Sequence, residues 1–201
     1  MKKIILSLGV LALSLTSASA FAAKYAVDPA HSSVNFTIRH LVSNVDGKFN
    51  DYTGEFSFDE KKPTVLGDVK FDIKAASVDT GNAKRDEHLK GGDFFDVQKN
   101  PELTFVGKKV TSSGKNMFKV LGDFTMHGVT KPVTLDVEYL GSTKGMDGSP
   151  TSGFTATTVI SRKDFGMIWN KVLDAGNAVL GDDVKVKINV EAHPVSAAAK
   201  K

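Results

Sequence analysis

The side chains able to do chemistry in this chain are scattered. The five histidines, His31, His40, His88, His127 and His193, fall on separate predicted elements, and no pair has a metal-ligand spacing such as H-x3-H. With no cysteine, a metal centre would need histidines and carboxylates gathered from distant strands, so none is expected and the histidines read as turn and rim residues. Carboxylates are plentiful but sit mostly between apolar residues, on what would be the wet face of strands. A catalytic pair needs burial or a close neighbour to split its pKa values. Asp93 and Asp96 flank Phe94-Phe95, and Asp86-Glu87 fall on a predicted helix, where solvated acids are ordinary. One acid–base set is worth weighing: His88 with Asp86 or Asp93, which would suit an enzyme acting on a lipid head group. No nucleophile elbow, phosphate-cradling loop or dinucleotide fingerprint occurs. The best polar candidates are basic. Lys84, Arg85, His88 and Lys90 share a short predicted helix, and a guanidinium fork matches an anionic head group.

The elements that would position these groups are strands. Eight stretches place apolar residues on every second position, as in Gly67–Lys74, where Val69, Phe71 and Ile73 alternate with Asp68, Lys70, Asp72 and Lys74. The expected strands are Ser33–His40, Gly47–Phe58, Asp68–Lys74, Glu102–Val110, Phe118–Met126, Val133–Leu140, Phe154–Ser161 and Val184–Ala192. Gly54, inside the second, suggests a bulge or sharp bend. A sheet with one apolar face and almost no amphipathic helix must hide that face by curling. The fold class is therefore all-β, an eight-stranded antiparallel barrel with a short helix and a long apolar loop closing one end. Such a barrel is either filled by its own side chains or holds one small ligand.

Two connections are too long for hairpins. In Ala75–Asn100, Asn82 can cap a helix that Gly91 ends, with an Asp86–Lys90 pair along it; Ala83, Leu89, Phe94 and Phe95 could plug a barrel mouth. In Arg162–Asp183, Phe165, Met167, Ile168, Trp169, Val172, Leu173, Val179 and Leu180 make a loop too apolar for a free surface.

Residues 1–22 read as a secretory signal peptide. Lys2 and Lys3 precede an apolar run from Ile4 to Leu15, then the small-residue site Ala20-Phe21-Ala22, with Ala18-Ser19-Ala20 an almost equal alternative. The run is too short to span a bilayer, so stable membrane insertion is not expected. The barrel domain occupies 23–195, and 196–201 forms a frayed tail. The net charge of +3 includes both leader lysines, and losing two charges leaves +1, which gives no reason to expect nucleic acid as a partner. Thirteen Phe against one Trp and three Tyr make an interior with few hydrogen-bonding handles.

Several blocks in order resemble the bacterial YceI-like family of periplasmic, lipocalin-like proteins, across essentially the whole mature chain. They are Asp28-Pro29-Ala30-His31-Ser32-Ser33-Val34 with Phe36 and Ile38-Arg39-His40; Ser77-Val78-Asp79-Thr80 with Arg85-Asp86 and His88-Leu89; Asp93-Phe94-Phe95-Asp96 with Pro101 and Thr104-Phe105; Gly122 to Thr130; and Arg162 to Met167 with Trp169-Asn170 and Gly181-Asp182. The resemblance implies an extended eight-stranded barrel, helix over one end, whose tunnel binds a polyprenyl lipid such as an isoprenoid quinone or its precursor, or another long-chain lipid. It implies no catalytic activity and no required cofactor.

Together these readings make a non-enzymatic periplasmic carrier. Phe36, Ile38, Phe56, Phe71, Ile73, Phe105, Phe124, Met126, Leu135, Phe154 and Ile160 would line the tunnel. Met167, Ile168 and Trp169 would form a hinged lid, and Arg39, Arg85 or His88 would receive a polar head. A structural module with a filled barrel is the other alternative. Sparse charge on outer faces, at Thr155, Thr157 and Val159, leaves room there for a homodimer contact.

Overall fold

The computed structural model describes residues 22–60, 62, 66–146, 148–171 and 179–195. Residues 1–21 of the expected signal peptide, Val172 and Leu173 of the apolar loop, and the expected tail lie outside the described residues.

Eleven strand segments among the described residues assemble into eight staves. They are β1 (Ala23–Val27), β2 (Ser33–His40), β3 (Ser43–Phe49), β4 (Tyr52–Phe58), β5 (Leu66–Lys74), β6 (Val78–Asp79), β7 (Glu102–Gly114), β8 (Met117–Met126), β9 (Val129–Lys144), β10 (Pro150–Ser161) and β11 (Leu180–Pro194), with one helix, α1 (Ala83–Lys90). Three staves are broken in the middle. β1 and β2 pair with successive halves of β11, β4 and β3 pair with β1 and β2 in turn, and β5 continues into β6 through a 3-10 turn at Ala75–Ser77. From β5 onward the order is a plain meander, β5-β7-β8-β9-β10-β11, and all these pairs are antiparallel. The β1–β11 pairing, Tyr25 opposite Pro194 and Val27 opposite Ala192, closes the barrel. Closure removes the sheet edges and turns every apolar alternation inward.

The expected bend at Gly54 is elsewhere. The expected second strand breaks at Asn50-Asp51, between β3 and β4. The bulge sits across from Phe56 on β5, where Glu55 pairs with Lys70 but Ser57 pairs with Gly67, and Asp68 takes φ 48°. Asp68 offsets that strain by accepting a 2.7 Å hydrogen bond from the Ser57 hydroxyl. Gly54 serves close packing instead: a Cβ there would lie 2.7 Å from both the Phe71 ring and Val27. The β1 strand and the start of β3 are additions to the expected set.

The interior divides into two halves. Towards the end where β1 meets β4, aromatic rings fill the bore. Phe56 stacks on Tyr25 with centroids 5.7 Å apart, and Phe154 meets Phe56 and Phe58 edge-to-face at 5.1 and 5.0 Å. Tyr139 closes the set against Phe58 and Phe154. The polar tips are satisfied in one chain. Tyr25 donates to Glu60 at 2.7 Å, Ser152 donates to the same carboxylate, and Ser142 links Ser152 to Tyr139. The other half is hollow.

This plug carries a pH signature. Burial first, and then the hydrogen bond to Glu60, push the Tyr25 phenol up to about 12 from its ordinary 10.0. A raised pKa in the folded state means the fold holds the proton more tightly than the unfolded chain does. The stability from this group is whole below pH 10 and falls as pH rises towards 12, by about 2–3 kcal/mol. Thermal melts across that window should show wild type losing more stability than Tyr25→Phe; parallel losses would contradict the assignment.

Candidate functional site: an apolar blind cavity

The hollow half encloses a cavity of about 300 Å³. Its walls come from alternate residues of every stave: Val34, Phe36 and Ile38 on β2, Val45 and Phe49 on β3, Phe71 and Ile73 on β5, and Leu103 and Phe105 on β7. Phe124 and Met126 on β8, Val133 and Leu135 on β9, Thr158 and Ile160 on β10, and Val184, Val186 and Ile188 on β11 complete the ring. The period-two pattern does this by itself, because Lys185 and Lys187 between the β11 residues must face water. The lining is almost wholly apolar, which favours a hydrocarbon guest and disfavours a charged one.

Of the expected tunnel residues, Phe36, Ile38, Phe71, Ile73, Phe105, Phe124, Met126, Leu135, Ile160, Met167 and Trp169 line this cavity. Phe56 and Phe154 do not; they belong to the aromatic plug, so the bore is a blind tube and not a through-tunnel. Ile168 does not either, because it points outward and is 72% exposed. Period-two reading reported which way these strand residues face but carried no information on how far along the bore the rings pack solid.

The mouth is built by α1, the turn after it and residues 162–171. Asn82 caps α1, accepting from the Arg85 backbone N–H, and the helix ends at Gly91. The expected Asp86–Lys90 pair does not form. Asp86 instead accepts from the Thr80 N–H and hydroxyl at 2.9 and 2.6 Å, and Lys90 pairs with Glu87. Phe94 and Phe95 are buried and Leu89 packs beside them, but Ala83 is exposed and takes no part in closing the mouth. Phe95 meets Phe49 edge-to-face, which joins this segment to β3.

Residues 162–171 are pinned, not hinged. Arg162 is only 2% exposed, and its guanidinium donates to the carbonyls of Gly181, Met167 and Trp169 at 2.8, 2.6 and 2.8 Å, and to Asp182 at 3.3 Å. Burial draws its pKa down from the ordinary value while Asp182 opposes that shift. Phe165 and Met167 are buried. Trp169 packs on Phe94 and His88, with centroids 5.3 and 5.0 Å away. Met167 and Trp169 of the expected lid stand in the mouth wall, held there by Arg162.

Two of the three expected head-group residues stand at this mouth. Arg85 lines it, tied to Thr80 by hydrogen bonds to the hydroxyl at 2.7 Å and the carbonyl at 2.9 Å. His88 also lines it, with Nε2 3.0 Å from Asp93. Arg39 does not: it is exposed, and its Nε donates to the Leu41 carbonyl, while its neighbour His40 turns inward. The acid–base set splits likewise, because Asp86 is committed to Thr80 and only Asp93 reaches His88, in a half-exposed pair. Sequence reasoning missed Arg162, Thr80, Val45, Phe49 and Leu103 as cavity residues. Alternation around Val45-Asp46-Gly47-Lys48-Phe49 was a usable signal for two of them; nothing local marks Arg162 as buried.

The YceI-like domain family matches residues 25–192 of this chain. The chain belongs to the YceI-like family. A UPF0312 protein of Vibrio parahaemolyticus is 39% identical over 82% of this chain and 88% of that protein. The crystal structure of a Campylobacter jejuni YceI protein superposes with a TM-score of 0.68 at 37% identity, covering 85% of this chain and 97% of that one. A polyisoprenoid binding domain from Saccharophagus degradans shares the fold with a TM-score of 0.61 at 16% identity, covering 87% of this chain and 99% of that one. No helix among the described residues is long and apolar enough to cross a membrane.

Proposed function

We propose that this YceI-like protein is a non-enzymatic carrier whose cavity holds the hydrocarbon chain of an amphiphile, an isoprenoid-type lipid above all. The observation that carries this reading is the apolar blind cavity, open beside a cationic mouth. The Saccharophagus degradans neighbour, a polyisoprenoid binding domain by its own description, supports the choice of guest. Desolvation would drive uptake, at about 0.8 kcal/mol per buried methylene. Arg85 and His88 would meet a polar or anionic head at the rim.

Export through residues 1–22 goes with this reading and would put the carrier in the periplasm. N-terminal sequencing of the protein from a periplasmic fraction should begin at Ala23 or Phe21; an intact Met1 there would contradict export by cleavage.

The plug sets a length limit. From His40 to Val34 the cavity wall spans six residue-to-residue steps, or roughly 20 Å along a strand. In a homologous series of prenyl lipids, affinity should climb with each unit and level off once the chain reaches Phe56 and Phe154. A climb without a plateau would mean the bore is open at both ends.

The test of the reading itself is solvent extraction of the purified protein followed by mass spectrometry. A long-chain lipid at about one per protein is expected. A delipidated sample that takes up no long-chain ligand would overturn it.

A further inference from the structure

The Asp28-Pro29-Ala30-His31 block lies on the outside of the barrel, away from the cavity walls, at the corner where β1 passes to β2. There it meets Glu191 and His193 of β11, from the far end of the sequence. Three candidate ligand atoms converge, with the His31 imidazole hydrogen-bonded beside them. His31 Nδ1 is 2.7 Å from Asp28 Oδ2 and 3.8 Å from Glu191 Oε1. His193 Nε2 is 3.7 Å from Asp28 Oδ2 and 3.8 Å from Glu191 Oε1. The atoms of Asp28, Glu191 and His193 all lie within 4.8 Å of one another. Ligand atoms about 2.1 Å from a tetrahedral metal are about 3.4 Å apart, so His193 Nε2, at 3.7 and 3.8 Å from the two carboxylates, stands a few tenths of an ångström from that spacing.

Each ligand is also aimed by backbone. His193 Nδ1 sits 3.1 Å from the Pro150 carbonyl, which can accept only if Nδ1 carries the proton. That turns the Nε2 lone pair towards the two carboxylates. Asp28 Oδ1 accepts from the Ala30 N–H at 2.9 Å, which leaves Oδ2 for the cluster. Glu191 is fixed at both backbone ends: its N–H donates to the Ser32 hydroxyl, and its carbonyl accepts from the Asp28 N–H at 2.8 Å. His31 donates from Nδ1 to Asp28, whereas a His193 protonated on Nδ1 puts its Nε2 lone pair against two anionic oxygens, a conflict that a dication removes.

We propose that Asp28, Glu191 and His193, with His31 holding Asp28 from outside, form a surface site for a first-row divalent cation of the zinc type. One imidazole and two carboxylates, with solvent completing the shell, make a mixed nitrogen and oxygen donor set that suits Zn2+ and its neighbours. The site is separate from the lipid cavity, and its occupancy pins β1–β2 to β11 at the seam that closes the barrel.

The test uses the tag-free mature protein, stripped with chelator and titrated with Zn2+ by calorimetry near neutral pH, with Co2+ as a spectroscopic probe. One Zn2+ per chain and the intense visible absorption of tetrahedral Co2+ are expected. Glu191→Gln and His193→Gln should each weaken binding by about 100-fold or more, while His88→Gln, which breaks the unrelated His88–Asp93 pair, should leave it unchanged. Melting curves of the metal-free variants should match metal-free wild type within a few degrees, which separates lost ligation from lost fold. Binding that does not saturate, or equal affinity in wild type and Glu191→Gln, would overturn the site and leave only an ion-paired corner.

Discussion

Replacing Phe124 by aspartate should abolish lipid uptake. Phe124 lines the cavity on β8 and packs edge-to-face on Phe165, 5.5 Å away, so its ring joins the barrel wall to the pinned mouth segment. An aspartate there would join an apolar wall that includes Leu103, Phe105, Leu135 and Ile160. Water can hydrate it only by entering the bore, and any chain that enters must strip that water. The cost is several kcal/mol, which corresponds to affinity losses of more than about 100-fold. The control is Phe154→Leu in the plug, which should lower stability by on the order of 1–2 kcal/mol and leave uptake of short prenyl chains intact. Titration of both delipidated variants, followed by the emission of Trp169 at the mouth, distinguishes them. Unchanged uptake in Phe124→Asp would mean that the guest does not lie in this cavity.

Arg162→Leu should be the most destabilising single change at the mouth. Removing the guanidinium leaves the carbonyls of Gly181, Met167 and Trp169 without this donor in a buried to part-buried site. Unsatisfied buried groups cost about 1–3 kcal/mol each, so a loss of about 3–5 kcal/mol is expected, or a fall in Tm of about 10 °C or more. Arg162→Lys should not rescue it, because one ammonium cannot reach carbonyls on both residues 167–169 and β11 in the geometry of a planar fork. Trp169 is the protein's one tryptophan, so its emission reports the same event. A shift to longer wavelength is expected as the ring leaves Phe94 and His88. A leucine variant that melts and emits like wild type would contradict the pinned-wall account.

Much of the barrel was legible in the sequence because one physical rule, alternate residues facing water, repeats in every stave. Val69, Phe71 and Ile73 face inward as their spacing requires, and all three are buried. What local pattern could not convey is long-range. β1 is five residues and pairs with β4 and the end of β11, so no feature of Ala23–Val27 alone announces a strand. Nor does anything in Phe56 or Phe154 show that they touch each other rather than a guest; that depends on Tyr25 and Tyr139 arriving from other staves. Arg162 reads as an exposed cation beside Lys163, and only the return of β11 with Gly181 and Asp182 buries it. His31 and His193 stand 162 positions apart, and the barrel's seam is what brings them to the same pair of carboxylates.

The most direct test of the carrier account is the crystal structure of the protein loaded with a prenyl lipid. Continuous elongated density should run from Arg85 and His88 past Phe36 and Phe105 and stop at Phe56. A lower bore closed by its own side chains, or lipid density on the outer face alone, would contradict it.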